Sequence, residues 1–276
     1  MGKLSSTLTI TLLIAVNTLL GPRAVEAQAR SPQSEIVMEA VEGFTLREIG
    51  PAVMGGRIAD IAVHPHKSST WYLAVGSGGV WKTTNAGVTW NPVFDDQSVY
   101  SIGDIALDPS NPDVVWVGTG ENVSGRHVGW GDGVYRSRNG GESWENMGLT
   151  DSQHIGKILV DPRDSDVVFV AAEGPLWSDG GDRGLYKTSD GGDTWRAVLE
   201  IDARTGGTDM EFAPGNPDVI YAAAYQRRRQ VWGHLAGGPN SGVYKSADGG
   251  ETWRKIETGL PTGDLGKIGI AVTPAN

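Results

Sequence analysis

The chain has 276 residues and a formal charge of −10 at pH 7, with 40 Gly, 10 Trp and no Cys. An acidic surface lacks the basic face that nucleic acid requires, so nucleic-acid binding is excluded as a function class. Many glycines with Pro-containing turns and β-branched runs point to an all-β protein rich in tight turns, held without disulfides.

Residues 1–29 stand apart from the rest. Lys3 gives a positive start, Leu8 to Leu20 form a short apolar stretch, and small residues at Ala27 and Ala29 offer cleavage sites. This reads as a secretory signal peptide rather than a membrane span, because the apolar core is too short to cross a bilayer and no second one follows. The expected location is therefore secreted or periplasmic. Residues 30–50 read as a linker, with Phe44 to Ile49 as a candidate closing strand, and residues 51–276 as the folded domain.

From there one box is written four times: [Ser/Thr]-x-[Asp/Asn]-x-Gly-x-[Ser/Thr]-Trp. It carries Asn85 and Trp90, Asn139 and Trp144, Asp190 and Trp195, then Asp248 and Trp253. The tryptophans are 54, 51 and 58 residues apart, a period that suits a four-stranded propeller blade with variable loops. Chemically the box is a hairpin turn. An Asp or Asn side chain can accept from backbone N–H groups two residues on, Gly supplies a positive φ, and Trp starts the next strand and packs over the turn. These four side chains are read as turn caps and not as a metal series.

Each box is preceded by Gly-[Val/Leu]-[Trp/Tyr]-[Lys/Arg] and, further upstream, by a turn and an apolar run such as Asn111 to Val117. Blade one is expected from about Arg57 to Phe94, blade two from Ser101 to Met147, blade three from Ile155 to Leu199 and blade four from Gly207 to Ile256. Lys267 to Pro274 repeats the first strand of a blade. The expectation is an all-β propeller of four blades plus the start of a fifth, as a portion of a larger propeller with further blades or domains after it. A closed four-bladed ring is the alternative.

These boxes resemble the Asp-box, or bacterial-neuraminidase-repeat, signature. The unit around them is similar to exported bacterial propellers grouped with the sortilin N-terminal domain and xyloglucanase-type glycoside hydrolases. The resemblance runs from about Gly50 onward and implies the fold more than the function, because the same turn serves enzymes, receptors and binding proteins. Where xyloglucanases carry a catalytic Asp in an Arg-Thr-Asp-x-Gly-Gly-type run, this chain has Gly76 and Ser77. Where sialidases carry Arg-Ile-Pro, it has Arg57-Ile58-Ala59 without the Pro.

Strand alternation puts the boxes on one face of the disc and the strand 2–3 loops on the other. Those loops differ between blades: Glu121 to Asp132, Glu173 to Arg183, and Gln226 to His234 with a Gly/Pro-rich tail. They bring together Glu121, Arg126, His127, Trp130, Trp177, Asp179, Arg183, Arg227 and Trp232, a polar and aromatic mixture suited to stacking on sugar rings or clamping a peptide. In the competing reading each Trp caps its own blade and Arg227-Arg228-Arg229 neutralises Glu121, Glu173 and Asp182. His127, His154 and His234 share this face without metal-ligand spacing, so neither a metal nor a cofactor is expected. Two function classes fit. One is a binding module for a glycan or a protein or peptide ligand on the loop face and central channel. The other is a glycoside hydrolase using carboxylates there.

Overall fold

The computed structural model describes residues 56–274, with Ser124 and His127 left out. The signal peptide, the linker with its closing strand, and His127 lie outside the described residues. Four antiparallel sheets follow one another in chain order. Blade one is β1 (Ile58–Val63), β2 (Trp71–Val75), β3 (Gly79–Thr83) and β4 (Asn91–Pro92). Blade two is β5 (Ile102–Leu107), β6 (Val115–Thr119), β7 (Val134–Ser137) and β8 (Glu145–Asn146). Blade three is β9 (Ile155–Val160), β10 (Val168–Ala172), β11 (Gly184–Thr188) and β12 (Arg196–Leu199). Blade four is β13 (Thr205–Ala213), β14 (Asn216–Arg229), β16 (Gly242–Ser246) and β17 (Arg254–Ile256), with β15 (His234–Ala236) added beside the end of β14. The strands fall where the four repeats put them, and each Trp of a box stands immediately before its outer strand.

Two local details differ from the sequence reading. The Asp or Asn of each box reaches four residues on rather than two: the N–H groups of Thr89, Ser143, Thr194 and Thr252 donate to Asn85, Asn139, Asp190 and Asp248 at 2.9–3.0 Å. The nearer N–H groups are taken by the hydroxyl that opens the box, as Ser137 Oγ accepts from Asn139 and Gly141. A hydroxyl paired with a carboxyl or amide oxygen thus satisfies the turn, leaving few orphan donors. The second detail is in blade four, where the Arg run is strand rather than loop: Arg227, Arg228 and Arg229 pair with Ala236, Leu235 and His234 in a projecting hairpin.

The core lies between blades, not within them. Tyr72, Ala74, Val80 and Phe94 of blade one pack on Ile102, Ile105, Val115 and Val117 of blade two. Trp116, Val134 and Met147 pack likewise on Ile155, Ile158 and Val160 of blade three. Phe169, Ala171 and Leu185 then cover Met210, Ile220 and Ala222 of blade four. Every first strand also carries a register shift at one place, just before Asp60, Asp104, Lys157 and Asp209. An extra residue there re-aims the following side chains at the end of the strand nearest the strand 2–3 loops. Residues 267–272, expected as a further first strand, form no ladder among the described residues. Ile270 N–H nevertheless donates to Asp209 at 2.7 Å, just as Ile158 N–H donates to Asp104 at 2.8 Å. No helix of the described residues is long and apolar enough to cross a membrane.

Candidate functional site

Where the channel opens on the loop face, a cavity of about 560 Å³ is lined by Arg57, Asp60, Asp104, Glu121, Asn122, Lys157, Asp209 and Lys267, with backbone from Gly76, Gly103 and Gly156. Its walls are therefore the bulged ends of the four first strands. Asp104 is buried, accepts from Ile158 N–H, and has Lys157 Nζ at 3.4 Å. Burial pushes its carboxyl up to about 7. Lys157 opposes that rise, and the neighbouring Asp60 carboxylate adds to it. The sequence reading missed Asp60, Asp104, Lys157 and Asp209. A signal existed, since a charged residue stands at one repeat position of all four first strands, three of which are otherwise apolar.

Glu121 closes the blade-one side of this mouth. Its Oε1 accepts from the Arg57 guanidinium at 2.6 Å and the Ser77 hydroxyl at 3.3 Å, and its Oε2 from Gly129 N–H at 2.9 Å. A Cβ placed on Gly76 would meet Glu121 Oε1 at 2.6 Å, so an Asp at the position where the xyloglucanase resemblance would put one has to displace the Glu121 carboxylate. Arg57, the sialidase near miss, is committed to the same carboxylate.

Deeper under the loops sits a second charged cluster. Glu173 and Arg227 are both buried and ion-paired, and Glu173 also receives Lys267 Nζ at 3.0 Å and the Thr208 hydroxyl at 2.9 Å. Burial alone would raise Glu173, but Arg227 and Lys267 outweigh it and hold the carboxyl below its ordinary value. Arg183 is buried too, donating to the carbonyls of Glu173, Gly180, Pro175 and Ser178; burial, then Arg227, pushes it down to about 10. His154, its Nδ1 3.0 Å from the Glu121 carbonyl, is driven to about 3 by burial and then by Arg227, and is neutral at pH 7. Asp179 is gripped by both arms of Arg204 at 3.0 Å, with Arg228 at 3.3 Å.

The structure thus separates the expected site residues into two groups. Glu121 and Arg183 have their polar groups taken by protein partners, Arg227 is ion-paired to Glu173 through a terminal nitrogen, and Asp179 is salt-bridged at the surface. Trp130, Trp177 and Trp232 are exposed, as is Arg126. The Arg run does neutralise Glu173, but it meets Asp179 rather than Glu121 or Asp182: Arg57 already holds Glu121, and Asp182 accepts from Asp151 N–H at 3.0 Å. Among the described residues no group of three or more His, Cys, Asp or Glu is arranged to hold a metal ion.

Boxed turns, blade-to-blade cores and a polar channel mouth define the class: the chain is an Asp-box β-propeller. The family model described as sortilin, neurotensin receptor 3 (Sortilin-Vps10) matches residues 132–267. A xyloglucanase of Paenibacillus sp is 25% identical over 254 residues, covering 83% of this chain and 24% of its own length. An oligoxyloglucan-reducing end-specific xyloglucanase of Emericella nidulans is 24% identical, covering 76% of this chain and 25% of its own. Among solved structures, an ancestral GH74 enzyme superposes with a TM-score of 0.59 at 19% identity, covering 78% of this chain and 27% of that one. The GH74 xyloglucanase from Xanthomonas campestris gives 0.54 at 20% identity, covering 72% and 29%. The chain is a β-propeller similar to sortilin-type and xyloglucanase-type propellers, and it spans about a quarter of the length of the curated relatives it matches.

Proposed function

We propose that this chain is the glycan-binding part of an exported, glycoside-hydrolase-related propeller, and that it holds a neutral polysaccharide of the xyloglucan class across its strand 2–3 loop face. One observation carries this reading. On that face Glu121, Glu173 and Asp179 are spent on arginines, whereas Trp130, Trp177 and Trp232 stand exposed. Exposed indoles on a rigid scaffold offer flat apolar faces with a polar edge, which suits an uncharged sugar ring. The xyloglucanase relatives support the choice of polysaccharide.

Hydrolysis is the second reading, favoured by Asp104 titrating near neutrality at the channel mouth. Against it, the Asp104 carboxyl is buried and already taken by Ile158 N–H at 2.8 Å and Lys157 Nζ at 3.4 Å. The test is affinity electrophoresis and calorimetry with soluble xyloglucan, a charged glycan and a peptide library, for the wild type and the Trp130→Ala/Trp177→Ala/Trp232→Ala variant. Xyloglucan affinity should fall roughly tenfold or more. Unchanged affinity in the triple variant, or binding of peptides alone, overturns the reading. Reducing-end release that is abolished by Asp104→Asn would establish the hydrolase instead.

A further inference from the structure

At the end of the blades that carries the Asp boxes, a hollow of about 190 Å³ opens between blades two and three. Both blades that form it have their own neighbours in place on either side. Its floor is buried, with Asp108, Trp116 and Arg136 1%, 1% and 6% exposed. Its rim, from Arg138 and Asp166, stands in solvent.

Each floor residue carries a buried polar atom with no hydrogen-bond partner among the described residues: Asp108 Oδ2, Trp116 Nε1 and Arg136 Nε. The remainder of the two charged groups is held. Asp108 Oδ1 accepts from Ser110 N–H at 2.8 Å and from the Ser110 hydroxyl at 2.9 Å. Arg136 donates to the Gly191 carbonyl and lies 3.4 Å from Glu145. Unpaired polar atoms are costly to bury, so three around one hollow mark a place that receives something polar.

These orphans belong to this interface alone of the three. Between blades three and four the matching residues are Asp161, Phe169 and Lys187. There Arg163, which matches Ser110, fills the space: its guanidinium donates to Asp161 at 2.7 and 2.9 Å and to Asp218, the match of Asp166, at 2.8 Å. Phe169 has no polar side-chain atom, and Lys187 Nζ is bonded to Gly249 and Glu251 at 2.9 and 2.7 Å. Between blades one and two, Tyr72 matches Trp116 and donates its hydroxyl to the Gly140 carbonyl at 3.1 Å. With Ser110 in the place of an arginine, the hollow is a seat that the chain fills one blade later and leaves open here.

The charges around the seat decide what it takes. Asp108 and Asp166 supply two carboxylates, and Arg136 and Arg138 two guanidiniums, so neither a bare cation nor a bare anion is favoured. The orphans are one acceptor and two donors, and hydroxyl groups can answer both kinds. At about 30 Å³ per water the hollow equals roughly six waters, which suits one sugar ring and not a chain of them. We propose that this hollow is a second saccharide site, apart from the loop face, that takes one neutral sugar unit. One hydroxyl donates to Asp108 Oδ2, and another accepts from Trp116 Nε1–H and Arg136 Nε–H. The unit is a free monosaccharide or the end of a polysaccharide.

The indole N–H signals in a nitrogen–proton correlation spectrum test this on the whole chain, with Trp116 assigned by the signal lost in Trp116→Phe. Methyl glycosides of glucose, xylose and galactose, and a xyloglucan oligosaccharide, are added to about 10 mM, tenfold above a Kd of 1 mM. The Trp116 signal should move and saturate. Movement with the methyl glycosides assigns a free monosaccharide, and movement with the oligosaccharide alone assigns a chain end. Ser110→Arg, which copies Arg163, should abolish the movement without lowering the melting temperature. Calorimetry in the Trp130→Ala/Trp177→Ala/Trp232→Ala background keeps the loop face silent, and adding Trp116→Phe there should weaken binding roughly tenfold. The site therefore stands or falls apart from the loop-face reading. It is overturned if no sugar moves the Trp116 signal, which would leave water as the only occupant. It is equally overturned if Ser110→Arg responds like the wild type, or if Trp116→Phe leaves the affinity unchanged.

Discussion

Replacing Asp104 by Asn should make the protein more stable, and by an amount that depends on pH. In the fold this carboxyl is buried between blades one and three and raised to about 7, from an ordinary value of 3.8. A carboxyl raised by folding favours the protonated state. Its penalty is absent below about pH 4, grows as the pH rises, and is complete above pH 7. At about 1.4 kcal/mol per pH unit, the gap between 3.8 and about 7 is worth on the order of 4 kcal/mol. Asn keeps the bond from Ile158 N–H, which its carbonyl can accept, and gives up only the 3.4 Å ion pair with Lys157, whose attraction is already counted in that shift. Urea unfolding followed by Trp fluorescence at several pH values between 4.5 and 8.5 would measure both proteins. Other titrating groups cancel in the difference between them. That difference should be small at the acid end and should grow in favour of Asp104→Asn toward pH 8.5. A difference constant to within about 1 kcal/mol across the range would refute the reasoning, since extrapolated stabilities are not finer than that.

Two further outcomes follow from the Asp boxes. Asp248 accepts from Thr252 N–H at 2.9 Å, the Thr252 hydroxyl at 2.5 Å and Ser246 Oγ at 2.7 Å. Asp248→Ala should therefore lower the melting temperature while Asp248→Asn barely moves it, since Asn85 and Asn139 fill the same role; a wild-type melting temperature that shifts with calcium or chelator would contradict a purely structural turn. Ala86 holds a left-handed backbone at φ 56° where the other boxes use Gly, so Ala86→Gly should stabilise by roughly 0.5–1 kcal/mol, the relieved strain less the added chain entropy; a lower melting temperature in that variant would show the strain argument to be wrong.

How much of this was legible in advance follows from the range of each interaction. The box turns, strand order and blade limits are short-range matters. A hydroxyl, an Asp or Asn, a Gly and a Trp within eight residues dictate a hairpin wherever they occur, and four repeats in register leave little choice of architecture. The face carrying the variable loops also follows from strand alternation alone, and with it the three tryptophans. The local bond pattern inside the box was misjudged because two acceptors compete for the same N–H groups, and only their geometry decides which takes which.

Residues at the channel mouth lay beyond that range. Asp60, Asp104, Lys157 and Asp209 stand about fifty residues apart in sequence and meet only because a bulge in each first strand turns them toward one axis. The fate of the loop charges was equally a tertiary matter. Glu121, Arg183 and Arg227 have the composition of a ligand site, yet Arg57, backbone carbonyls and Glu173 already hold them. A buried charge must find a partner inside the protein, whereas an exposed indole need not, and sequence does not record which residues the fold buries. Composition and repeat alone settled the propeller and its two faces; packing between blades decided which groups on the loop face remain free to meet a ligand.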